Sequence, residues 1–311
     1  MKVCVTTPVK DRHRQWLTEA AADRCRLIFG RQEGAEVIIG DLGPEDLRQE
    51  KNLKWFHLVW AGCDRYKEAD FPKDALFTNG SGAYGVTIAE HMVACILALY
   101  RQLRHYDRLQ TAHLWQQNWQ EDTLEGKTVL ILGTGDIGQA LAKRLQGFDC
   151  RIIGLRRTEG SLPDFDAVYT MDRLDELLPK AHVVACCLPG TAETKGLLHE
   201  KRLRAMESTA LLLNCGRGNL IDTKALEKVL SEGHLGGCAL DVTDPEPLPK
   251  ESILWDLERV ILTPHISGAS FGHVDEMEDK IYRLAAENLR RYLDGEPLLN
   301  QVDFATGYRK I

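Results

Sequence analysis

No apolar stretch in this chain approaches the roughly 20 residues that span a bilayer, so a membrane protein is not expected. The start, Met1-Lys2-Val3-Cys4-Val5-Thr6-Thr7-Pro8, reads as a strand entering a turn rather than a secretory leader, which points to the cytoplasm. Basic charge is not in surplus either. Against 46 Asp and Glu stand 39 Lys and Arg, a net charge of −7, which argues against nucleic acid or an anionic membrane as partner. Any phosphate site must therefore be local. None of the nine cysteines pairs with another Cys or a His at zinc-like spacing, so no metal site is expected; odd in number and scattered among apolar segments, they read as reduced thiols. Low-complexity tracts and internal repeats are also missing, and 311 residues suffice for two domains with separate cores.

What is present is alternation. Short apolar runs at Val3–Val5, Arg26–Phe29, Glu36–Ile39, Phe56–Trp60 and Leu76–Thr78 alternate with helical stretches, the pattern of a parallel sheet covered by helices. Val86 to Arg108 then reads as one long helix bridging to a second block, with strands at Thr128–Leu132, Arg151–Leu155, His182–Leu188, Ala210–Asn214, Gly237–Asp241 and Arg259–Leu262. A last helix near Val274–Leu293 could return the chain to the first block. The expected fold is α/β, with domains at residues 1–95 plus 275–311 and at 96–274.

Directly after Thr128–Leu132 comes Gly133-Thr134-Gly135-Asp136-Ile137-Gly138, followed by helical spacing and then the strand Arg151–Leu155. Alone, a G-x-G-x-x-G is weak; in a strand–turn–helix context it is the dinucleotide fingerprint, in which glycines allow a tight turn, close approach of a pyrophosphate and close helix–strand packing. Where such units usually place an acidic residue on the adenosine ribose, 18 residues after Gly138, this chain has Arg156-Arg157-Thr158. Guanidinium groups and a hydroxyl suit a 2′-phosphate, so NADP(H) is expected in preference to NAD(H), which remains possible. A solvated arginine pair is the bland alternative.

Chemistry-bearing residues also follow the later strands. Asn214-Cys215-Gly216-Arg217-Gly218 puts Arg217 in a glycine-flanked turn, Asp241 opens a proline-stiffened loop holding Glu246, and Thr263-Pro264-His265-Ile266-Ser267-Gly268 presents His265. Each has an ordinary structural reading: an arginine in a turn is usually solvated, a glutamate beside proline usually lies on the surface, and a loop histidine is usually a hydrogen-bonded structural residue. At one sheet edge beside a dinucleotide they suggest a catalytic set.

Together with Leu188-Pro189, Thr191, Thr194 and Trp255, these motifs make the chain resemble the D-isomer-specific 2-hydroxyacid dehydrogenases along nearly all its length, and the arginines resemble the NADP-preferring glyoxylate and hydroxypyruvate reductase type. The resemblance implies a flavodoxin-like substrate domain, a Rossmann domain, a cleft between them and a homodimer joined through the Rossmann domains. It implies a catalytic trio of Arg217, Glu246 and His265. Cofactor contacts would come from Gly133, Gly135, Asp136, Ile137, Gly138, Arg156, Arg157, Thr158, Leu188, Pro189, Thr194, Cys215, Gly216, Asp241 and Gly268. Substrate contacts would come from Ala61, Gly62, Cys63 and Tyr84, with Arg217 and His265. In reducing a 2-keto acid, His265 would donate the proton, Glu246 would orient its ring, and Arg217 would hold the carboxylate and carbonyl oxygen. A dinucleotide-sensing, corepressor-like binding protein on the same fold is the alternative; another Rossmann dehydrogenase that does not need Arg217 is a third.

Overall fold

The computed structural model describes residues 1–268 and 272–304, and the backbone of 308–309. The chain forms two compact units, Met1–Tyr84 with Ala269–Ile311, and Gly85–Gly268.

In the first unit five short strands, β1 (Lys2–Val5), β2 (Arg26–Phe29), β3 (Val37–Gly40), β4 (Trp55–Leu58) and β5 (Leu76–Asn79), form an all-parallel sheet in the order β2-β1-β3-β4-β5. Strands β3 and β4 are buried throughout, as their unbroken apolar runs require when both sheet faces are covered. Helix α1 (Asp11–Ala21) lies on one face, and α2 (Pro44–Leu47) is a single turn.

The second unit opens with α3 (Gly85–Tyr100) and α4 (Leu103–Thr111), where the sequence pattern predicts one helix. The break falls at Gln102, whose left-handed φ of +55° ends one helix and starts the next. Seven parallel strands follow: β6 (Thr128–Leu132), β7 (Arg151–Arg156), β8 (Ala167–Thr170), β9 (Val183–Cys186), β10 (Leu211–Asn214), β11 (Gly237–Leu240) and β12 (Val260–Leu262). Their order, β12-β11-β10-β9-β6-β7-β8, is doubly wound, with its reversal at β6 and β9. The pattern predicts six of these strands; β8, half-buried at the sheet's edge, is the addition.

Four more helices, α5 (Asp136–Leu145), α6 (Leu174–Leu177), α7 (Glu200–Ala205) and α8 (Thr223–Ser231), belong to this unit. In α5 the buried Gly138, Leu141, Ala142 and Leu145 make the inward stripe at i, i+3, i+4 and i+7. All of α3 belongs to the second unit, so the unit boundary lies between residues 84 and 85 rather than 95 and 96, and the later one between 268 and 269 rather than 274 and 275. The physical reason is that α3 packs along α5, tied by Arg144 to Glu90 at 2.9 Å and by Gly85 N–H to Asp136 at 2.7 Å. The chain then re-enters the first unit, where α9 (Asp275–Asp294) buries Tyr282, Ala285 and Leu289 with the α1 residues Leu17 and Ala21. No single helix among the described residues is long and apolar enough to cross a membrane.

Candidate active site

The fingerprint turn joins β6 to α5, and each glycine answers a different steric demand. Gly133 has φ +98°, and a Cβ there would lie 2.9 Å from the Cys187 carbonyl oxygen. A Cβ on Gly138 would lie 2.1 Å from the Gly133 carbonyl oxygen, so only glycine lets the helix sit this close to the turn. At Gly135, the N-cap of α5, a Cβ would meet nothing within 4 Å. Bare backbone at a helix N-terminus leaves its N–H groups open to an anion such as a pyrophosphate. Asp136 accepts a hydrogen bond from Gly85 N–H, so its carboxylate braces α3, while Ile137 is half-buried in the first turn.

Arg156 ends β7 half-buried, and Arg157 and Thr158 follow exposed. Many surface arginines of this chain are ion-paired; the Arg156 side chain forms no such pair among the described residues.

The turns after β9 and β10 interlock. Asn214, fully buried, accepts from Gly216 N–H at 3.0 Å and donates to the Arg217 carbonyl at 2.8 Å, fixing the Cys215–Arg217 turn. A Cβ on Gly216 would lie 2.3 Å from the Leu188 carbonyl oxygen, and one on Gly218 would lie 2.0 Å from the Thr243 carbonyl oxygen. Glycine is therefore the residue that allows these loops to touch. Arg217 is half-buried and donates to the Gly216 carbonyl at 2.8 Å. Beyond Pro189, Thr194 closes its own loop, its hydroxyl donating to the Pro189 carbonyl at 2.6 Å. Burial pushes the Cys215 thiol well up, so it stays protonated.

The most constrained part is the turn that carries His265. Asp241, 3% exposed, stands at the end of β11, and its carboxylate accepts from Thr263 Oγ1 at 2.6 Å, Ile266 N at 2.9 Å, Ser267 N at 3.0 Å and Ser267 Oγ. Its carbonyl accepts from His265 N at 2.8 Å. Burial pushes this carboxyl up, but hydrogen bonds from Ser267, Thr263 and the two backbone N–H groups outweigh it and hold it below the usual carboxylate range. Wrapped round this anion, His265 adopts a left-handed φ of +56°. Its Nδ1 lies 2.7 Å from Glu246 Oε1, and the two side chains are 49% and 43% exposed. An ion pair that open contributes about 0–1 kcal/mol, whereas each hydrogen bond to the buried carboxylate contributes about 1.5–3 kcal/mol. The backbone clamp therefore sets where the ring starts, and Glu246 sets how it points. Glu246 itself sits between two cis peptide bonds, Asp244–Pro245 and Glu246–Pro247.

A family model described as D-isomer specific 2-hydroxyacid dehydrogenase, NAD binding domain, matches residues 93–267. The chain belongs to this dehydrogenase family. A glyoxylate reductase of Thermofilum pendens is 36% identical over 271 residues, covering 84% of this chain and 78% of its own. Among solved structures, a D-isomer specific 2-hydroxyacid dehydrogenase family protein from Aeromonas salmonicida superposes with TM-score 0.85 at 31% identity, over 97% of this chain and 99% of its own. A D-isomer specific 2-hydroxyacid dehydrogenase from Xanthobacter autotrophicus, solved in complex with NADPH and MES, superposes with TM-score 0.81 at 27% identity, over 99% of both chains. The protein is thus an oxidoreductase of the 2-hydroxyacid dehydrogenase class, and its second unit is the nicotinamide-dinucleotide-binding domain.

In this dehydrogenase the remaining expected residues, Ala61, Gly62, Cys63 and Tyr84, stand in the first unit. Asn79 Nδ2 donates to the Ala61 carbonyl at 2.8 Å and shapes the loop after β4. Cys63 is buried, and Tyr84, 5% exposed, donates its hydroxyl hydrogen to the Val59 carbonyl at 2.8 Å. Gly268 ends the His265 turn and the second unit together. Sequence reasoning named Thr263 only as part of a motif and gave no role to Asn214, Ser267 or His91. The short polar side chains within a few residues of Arg217 and His265 were the available signal, because Asn, Ser and Thr fold turns by bonding nearby backbone.

Proposed function

We propose that this dehydrogenase reduces a small 2-keto acid to the D-2-hydroxy acid, with NADPH preferred to NADH. The observation that carries the reading is the His265–Glu246 pair, 2.7 Å apart on a turn clamped by Asp241, at the same sheet edge as the bare Gly135 backbone. The T. pendens relative is named for glyoxylate reduction, and the X. autotrophicus structure contains NADPH.

The bound dinucleotide would supply a hydride to the carbonyl carbon. Negative charge then develops on the carbonyl oxygen, and His265 Nε2–H donates the proton that quenches it. Nδ1–H meanwhile donates to Glu246, which keeps the ring in one orientation. Being half exposed, the ring regains its proton from solvent. Arg217 would hold the substrate carboxylate and stabilise the growing charge. Arg156 with Arg157 and Thr158 is proposed to hold the 2′-phosphate.

The test is initial-rate reduction of 2-keto acids from glyoxylate to phenylpyruvate, with NADPH and NADH side by side, on the native protein and His265→Ala. Turnover with NADPH preferred, lost by about 10²–10⁴-fold in the variant while the dinucleotide still binds, is expected. Dinucleotide binding without turnover on any acid would favour the sensor instead.

A further inference from the structure

We propose that Thr263, held by His91, is a positioning residue for the proton donor. This rests on the assignment of His265 as that donor. The Asp241 carboxylate can only accept, and four donors fill its capacity, two on each oxygen. The Thr263 hydroxyl hydrogen is therefore committed to Asp241 Oδ1. His91 Nε2 lies 3.3 Å from the same Thr263 oxygen, which has only lone pairs left to offer, so Nε2 carries a hydrogen and donates it. Cys95 Sγ lies 3.5 Å from that nitrogen on the next turn of α3.

The result is a directed chain. His91 Nε2–H donates to Thr263, Thr263 donates to Asp241 Oδ1, and that oxygen also receives Ile266 N–H, the amide directly after His265. It runs from α3 across the sheet edge to the reacting ring, entirely within the second unit. Without the Thr263 hydroxyl, Oδ1 keeps a single donor and the carboxylate gains a rotation that the turn now denies it. The His265 backbone is held at a left-handed φ by that same carboxylate group's neighbours, so the ring origin shifts with it. The ion pair to Glu246 is too exposed to restore the placement. Misplacement of a reacting group by about 1 Å can cost about 10²-fold in rate.

The experiment compares Thr263→Val, Thr263→Ser and His265→Ala in kcat, KM for the best 2-keto acid, and dinucleotide affinity by nicotinamide fluorescence. Thr263→Val should lower kcat by about 10–100-fold, with KM and dinucleotide affinity each within about threefold, and Thr263→Ser should recover most of the loss. Should Thr263→Val not fold, Ser267→Ala, which removes a donor from the other carboxylate oxygen, is read by the same split. Native kcat in the folded valine variant, a loss carried equally by KM or affinity, or no rescue by serine would overturn the positioning role. Retained turnover in His265→Ala would instead overturn the donor assignment on which it rests.

Discussion

At the scale of single residues, we propose that cofactor choice turns on Arg156. The side chain stands half-buried at the end of β7, where an aspartate or glutamate would accept hydrogen bonds from the ribose hydroxyls and repel a 2′-phosphate. Arg156→Asp should weaken NADPH binding and shift the ratio of kcat/KM for NADPH over NADH toward NADH by about tenfold or more, a charge-assisted hydrogen bond being worth about 1.5–3 kcal/mol. Steady-state kinetics with both cofactors checks this, and an unchanged ratio would remove the phosphate role. The motif residues Gly133 and Gly138 were legible because their demands are local, a turn or a close approach written over a few positions. Asp241 was harder. The resemblance assigned it to the cofactor, whereas the structure shows its carboxylate engaged by Thr263, Ile266 and Ser267, partners about 25 residues away on a neighbouring strand end.

Among the elements, the region after α3 departs most from the sequence pattern. Leu103 extends the helical periodicity and so predicts one helix to Arg108, yet Leu103 is 54% exposed and the chain bends by 65° at the break around Gln102 just before it. Periodicity reports spacing and not which surface an apolar residue meets. Leu114, Trp115 and Trp119 continue this exposure at 48%, 100% and 78%. Burying three or four large apolar side chains is worth several kcal/mol, at about 1.5–3 kcal/mol each, so we propose that α4 and the segment after it cover a second copy of this chain in a homodimer. Light scattering should give twice the 35.0 kDa chain mass, and Trp115→Ser with Trp119→Ser should shift the mass toward the monomer. A native protein that is monomeric at micromolar concentration would refute it.

For the molecule as a whole, stability should carry a pH dependence set in the first unit, far in sequence from the catalytic groups. His57 on β4 is fully buried, its Nδ1 lies 2.7 Å from Thr78 Oγ1, and its Nε2 has no hydrogen-bond partner among the described residues. Burial pushes it down to about 3. An unfolded histidine titrates near about 6.5, so below that pH the unfolded chain takes up a proton that the folded chain refuses. The stability is whole above about pH 6.5 and is lost as pH falls toward 3, by about 2–3 kcal/mol between pH 7 and 4.5 at about 1.4 kcal/mol per pH unit. Urea unfolding at those two pH values should show this drop in the native protein and a smaller one in His57→Gln. Equal drops would mean that His57 is already protonated in the fold.

The sequence by itself determined the architecture and the order of the motifs. Two runs of buried strands, a glycine turn between strand and helix, and polar residues at strand ends are local patterns, and backbone sterics and apolar burial read them within a window of ten or fifteen residues. Tertiary structure alone decided which groups meet: Asp241 with Ser267, Thr263 with His91, Gly85 with Asp136, and α3 with the second unit. The reason is that parallel strands are joined by long crossovers, so residues adjacent at a sheet edge lie tens of residues apart in the chain, and only the strand order brings them within hydrogen-bonding distance.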